Sequence, residues 1–242
     1  MVAFYGACVE PTASELILVL EHTHGQKLQE VVALPHDRLG LHARASLVHD
    51  VASALAYLHA QRPAVVHGDI SASNILVERW PSGKMRAKLL DFGLSRLMCL
   101  GAKSLGGTLA WMAPEVLSGV AMLHTSADIF SCGWLLFMTI TGRHPANAET
   151  TGSALAELEL WEYPRCDEFG GYGVPELFAA CVQDEPAARP QATKVLQALA
   201  RCRQRSGPGS PGVRCCLAEV LERVRRALPG LEPREGPQQL SL

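Results

Sequence analysis

Three short stretches that carry polar side chains follow one another along the chain: His67-Gly68-Asp69-Ile70-Ser71-Ala72-Ser73-Asn74, then Asp91-Phe92-Gly93, then Ala113-Pro114-Glu115. Between them lie short β-compatible runs, Val65-Val66, Ile75-Leu76-Val77 and Ala87 to Leu90. Read as chemistry, the set offers a lone carboxylate able to accept a proton, an amide, and a second carboxylate. The amide and the second carboxylate are hard oxygen ligands suited to magnesium. Such a set fits phosphoryl transfer, in which a protein mostly positions the nucleophile and neutralises phosphate charge. Taken singly, each stretch also reads as a plain turn. Their joint order argues for a site.

Composition narrows the partners. Hydrophobic residues make up 48% of the 242, enough for a substantial core. A net charge of −2 carries no polybasic character and argues against nucleic acid or an anionic membrane as the main partner. Eight cysteines are scattered apart from Cys215-Cys216, with no CxxC spacing. Without a secretory signal, free buried thiols in a reducing cytoplasm are the expectation. The longest apolar run, Ile129 to Ile140, is too short to span a bilayer and reads as a helix buried in protein.

Val2 to Cys8 and Leu16 to Leu20 read as two antiparallel strands joined by turn chemistry at Glu10-Pro11-Thr12-Ala13-Ser14, with a connector from Glu21 to Gly25. Leu47, Val51, Leu55 and Leu58 recur at helical steps between Ala43 and His59. Thr125 or Ser126 is a candidate cap for a central helix beginning near Asp128. Further helices are expected through Pro175 to Val182 and Ala192 to Cys202. A Gly/Pro/Ser linker (204–212) precedes one more amphipathic stripe (213–230), and the tail (231–242) reads as disordered.

The three polar stretches resemble the catalytic loop, metal loop and activation-segment end of a eukaryotic protein kinase, over roughly residues 2 to 203. Gly107 to Glu115 resembles that segment in tyrosine-kinase-like serine/threonine kinases. The resemblance implies an α+β, protein-kinase-like fold. It has a mostly helical large lobe (26–203) and a two-strand remnant of the small lobe with the hinge (1–25). It implies ATP and Mg2+ as cofactors and a protein serine or threonine as acceptor. Asp69 would be the base and Thr108 its neighbour, with Asn74 and Asp91 the metal ligands. Leu20, Glu21 and Thr23 correspond to gatekeeper and hinge, where backbone groups of Glu21 and Thr23 would meet adenine above Leu76. Structural roles fall to His67 packing on Phe92, to Gly93, to Asp128 anchoring the catalytic loop, and to Glu115 paired with Arg189.

Several positions depart from that pattern. Gly68 stands where most kinases have arginine, and Ser71 where serine/threonine kinases place a lysine. No GxGxxG occurs ahead of His67, and residues 1–26 contain no Lys or Arg, so the phosphate-clamping strands of the family are expected to be missing and the chain to be a fragment with little activity alone. Two strands alone would leave apolar faces such as Phe4 exposed. Two alternatives stand beside the kinase reading. One is a pseudokinase-like scaffold without catalysis, favoured by Gly68 and Ser71. The other is a small-molecule kinase, disfavoured by Ala113-Pro114-Glu115 with Arg189. The stripe at 213–230 is a candidate docking element for a partner, and the dispersed histidines suit packing or surface roles.

Overall fold

Two antiparallel strands open the chain in the computed structural model, which describes residues 1–10, 15–35, 39–97, 108–119, 124–148, 150–159 and 173–204. β1 (Phe4–Glu10) and β2 (Glu15–Leu20) pair from Phe4 opposite Leu20 to Glu10 opposite Glu15. Ile17, Leu18, Val19 and Leu20 are each about half exposed, so both faces of β2 show apolar side chains to solvent. The Phe4 side chain and the stripe at 213–230 lie outside the described residues.

Past the connector come β3 (Gln26–Lys27) and α1 (Leu28–Val32), too short for periodicity to reveal. α2 (Leu41–His59) begins ahead of the expected Ala43 and buries Leu47, Val51, Leu55 and Leu58. Four strands follow: β4 (Val65–Val66), β5 (Ile75–Arg79), β6 (Met85–Leu89) and β7 (Arg96–Leu97). Together with β3 they form an antiparallel sheet in the order β3-β5-β6 and a separate β4–β7 pair. The helices then run α3 (Pro114–Leu117), α4 (Thr125–Thr141), α5 (Thr151–Glu159), α6 (Val174–Cys181) and α7 (Ala192–Gln204).

α4 is buried along nearly its whole length and packs against α2 and α6. Trp134, Phe137 and Phe178 form an aromatic cluster with centroids 5.2 to 5.9 Å apart. Gly133 permits the close approach of α4 to α6, since a Cβ there would sit 2.8 Å from Cys181 Cβ and Val182 Cγ1. No helix of the described residues is long and apolar enough to cross a membrane.

The cap of α4 corrects the sequence reading. His124 Nδ1 accepts the Ser126 N–H at 3.3 Å, and Thr125 and Ser126 lie inside the first turn. An imidazole lone pair here does what a hydroxyl usually does. Arg44 is a second feature that sequence reading missed. It is fully buried, and its guanidinium donates to the carbonyls of Leu39, Val32, Thr139 and Leu34 at 2.6 to 3.0 Å. It thus satisfies carbonyls at the ends of α1 and α4 that those helices cannot bond themselves. Among the cysteines, Cys132 and Cys181 are free and buried, whereas Cys8 is free but exposed, against the expectation of burial.

Candidate active site

The loop between β4 and β5 is held by a buried carboxylate on α4. Asp128 accepts the backbone N–H of His67 and of Gly68, both at 2.9 Å, and its Oδ2 also meets His59 Nε2 at 2.8 Å. Three partners on one carboxylate, 1% exposed, answer the cost of burying it. Gly68 adopts φ 81°, a left-handed conformation that glycine enters without the Cβ penalty, so the residue that departs from the kinase pattern suits its backbone.

His67 is buried. Its Nε2–H donates to Leu90 O at 2.9 Å while Nδ1 accepts the Asp69 N–H at 3.3 Å, since a carbonyl can only accept and a backbone N–H only donate. Its ring meets Phe92 edge-on at 5.1 Å. The Asp69 carboxylate accepts from Asn74 Nδ2 at 2.8 Å through Oδ2, and from Thr108 N and Oγ1 at 3.0 and 3.1 Å through Oδ1. Asn74 Nδ2 also donates to Asp69 O, which leaves the Asn74 Oδ1 as the oxygen able to face a cation.

The β5–β6 hairpin brings Asn74 and Asp91 near one another. Ile75 pairs with Leu89, and Leu90 N donates to Asn74 O at 2.8 Å, so Asp91 follows directly on a rung that Asn74 begins. Asp91 is exposed at φ 54°, and its Oδ1 accepts the Gly93 N–H at 3.0 Å. An amide oxygen and a carboxylate suit magnesium, which takes few protein ligands and keeps waters and phosphate oxygens for the rest. Among the described residues no group of three or more His, Cys, Asp or Glu is placed to hold a metal by itself.

At the strand end after β2, Glu21 N donates to Ala3 O at 2.8 Å. Thr23 Oγ1 is buried without a hydrogen-bond partner. Gly25 passes so close to β5 that a Cβ would lie 2.6 Å from Val77 O and 2.8 Å from Leu76 Cδ2, which sets this connector directly against Leu76. Leu20 itself is half exposed. A pocket beside Asp69 and Thr108 is lined by Ile70, Met112, Val116 and Trp111 among others.

Arg189 ties the segment after Thr108 to the helices. It donates to both carboxylate oxygens of Glu115 at 2.6 and 2.8 Å, and its guanidinium lies 5.0 Å from the centre of the Phe130 ring. The sequence profile of the protein kinase domain matches residues 1–199. The chain belongs to the protein kinase family. It is 32% identical over 210 residues to mitogen-activated protein kinase kinase kinase 10 of Homo sapiens, covering 82% of this chain and 21% of that protein. Cold-responsive protein kinase 1 of Arabidopsis thaliana is 32% identical over 225 residues, covering 82% of this chain and 56% of that one. Serine/threonine-protein kinase CTR1 of the same plant is 30% identical over 208 residues, covering 82% of this chain and 24% of that one. The chain therefore spans about a fifth to just over half of the length of these relatives. The α+β, mostly helical architecture agrees with the family.

One residue of this protein kinase domain escaped the sequence reading altogether. Lys88, 8% exposed on β6, binds Glu21 Oε1 at 2.6 Å and Glu78 Oε1 at 3.0 Å. Its signal was a lysine within a run otherwise legible as a buried strand, Ala87 to Leu90.

Proposed function

We propose that this domain transfers the γ-phosphoryl group of ATP to a serine or threonine hydroxyl of a protein. The observation that carries the reading is the Asp69 carboxylate, which bonds Asn74 through one oxygen and Thr108 through the other. A carboxylate so fixed orients the acceptor hydroxyl and takes its proton. Asn74 Oδ1 and Asp91 would hold magnesium, which when bound neutralises charge on the phosphates. The Glu21 carbonyl and the Thr23 N–H would meet adenine, with Leu76 beneath it.

The test is transfer of labelled phosphate from Mg-ATP to a mixed protein acceptor. Asp69→Asn is expected to lower the rate by about 10²–10⁴-fold. Asp91→Asn is expected to lower it by at least about a hundredfold. Activity that survives both substitutions contradicts the reading.

Ser71 favours a second reading, a scaffold without catalysis. Its side chain is buried and its hydroxyl meets Ser73 Oγ at 2.8 Å, so the position supplies no cation to a phosphate. Binding of Mg-ATP without any transfer selects the scaffold.

A further inference from the structure

Lys88 joins two sheets. Its own strand, β6, pairs with β5 so that Lys88 lies opposite Leu76, and side chains of opposed residues stand on one face. Glu78, two residues after Leu76, shares that face. Glu21 reaches it from the end of β2, in the other sheet. The second oxygen of Glu21 accepts the Ala3 N–H at 3.0 Å, and Val2 N donates to Leu89 O at 3.2 Å. One ammonium thus fastens the connector to the hairpin whose two strands meet at Asn74 and Leu90, just before Asp91.

We infer that Lys88 is a positioning residue. It fixes the backbone from Glu21 to Thr23 against the face that carries Leu76, and so sets the connector at a defined height above the foot of the β5–β6 hairpin. This rests on the adenine contact proposed above for Glu21 and Thr23. The physical argument is one of sign. Two carboxylates each lie within 3.0 Å of the same Nζ atom. With the ammonium present they are drawn together; without it they face one another as like charges and separate. Glu78 is fixed within a paired strand, whereas Glu21 lies past the last rung of β2, so the connector is the part that moves.

The experiment uses the whole chain, free of nucleotide, and follows amide hydrogen exchange along residues 15–27 and along α4. In Lys88→Met the Glu21 amide, bonded to Ala3 O, should exchange about tenfold faster while α4 stays as in the wild type. Lys88→Arg should stay near wild type, because a guanidinium can still bridge both carboxylates. Adding Glu78→Gln to Lys88→Met should recover part of the protection by removing the repulsion, a signature that loss of packing alone does not give. Glu21→Gln opens the clasp from the other side if Lys88→Met fails to fold. Unchanged exchange in the connector, or loosening spread equally over α4, overturns the inference. Titration with Mg-ADP is the second arm. Weaker binding by Lys88→Met than by wild type and Lys88→Arg supports positioning, and equal affinity overturns it. A wild type that binds no Mg-ADP removes the adenine reading, while the exchange result still decides the clasp.

Discussion

Arg189 grips both oxygens of Glu115 at 2.6 and 2.8 Å across 74 residues of chain. The guanidinium also donates to the carbonyls of Gln183, Asp184 and Ser126, so its charge is satisfied only while all four partners are in place. Arg189→Met leaves the Glu115 carboxylate, itself only 14% exposed in its side chain, without a counter-charge. The expected loss is about 3–5 kcal/mol of folding stability, read from urea unfolding. A loss under about 1 kcal/mol, the range of an exposed pair, would show that the pair is solvent-screened.

Asp128→Asn should act on the loop that carries Asp69. An amide keeps one acceptor oxygen but turns an N–H toward a backbone N–H that the carboxylate now receives. Destabilisation of about 2–3 kcal/mol is expected, with faster exchange of the His67 and Gly68 amides. Wild-type exchange at those two amides would show that the loop is held by other contacts.

The cysteines separate by burial. Burial, with the Asp128 carboxylate adding to it, pushes the Cys132 thiol up to about 12. Burial likewise pushes Cys181 well above its ordinary value. Since the thiolate is the nucleophile, iodoacetamide at pH 7.5 should modify exposed Cys8 and leave both of these intact until the protein is unfolded. Rapid labelling of Cys132 in the folded protein contradicts its position in α4.

The clasp at Lys88 carries its own pH window. The hydrogen bond from Lys88, then that from Ala3, holds Glu21 below the ordinary glutamate value of 4.5. Its contribution is therefore whole above 4.5 and is lost as pH falls through the depressed value. Burial draws the Lys88 ammonium down, but its bonds to Glu21 and Glu78 outweigh this and lift it above 10.5. That contribution is whole below 10.5 and is lost as pH rises through the lifted value. The Met1 ammonium, lowered from 8.0 by burial and then by Arg86 and Lys88, adds a small step between. The stability difference between wild type and Lys88→Met should thus be nearly flat from about pH 6 to about pH 9 and shrink in acid. A difference that peaks below pH 4 would mean the ion pair is not its source.

How far the sequence revealed this molecule depended on the range of each interaction. α2 and α4 announced themselves through Leu47, Val51 and Leu55 and through a long stretch that is mainly apolar, because burial acts on every turn of a long helix. α1 and α3 span too few residues for a period to repeat. Asp69, Asn74 and Asp91 were legible because their spacing along the chain is itself the pattern. Arg44 was not, since its partners are carbonyls, which leave no mark in a side-chain alphabet. Lys88 was missed for a related reason: Glu21 is 67 residues away, and only the fold makes them neighbours.

The β5–β6 hairpin has a mechanical consequence. Asn74 and Asp91 stand beside the same backbone rung, so a swing of the β1–β2 ribbon can tilt or shift anything it carries without prising those two side chains apart. The spacing of the two side chains is set by the hairpin itself.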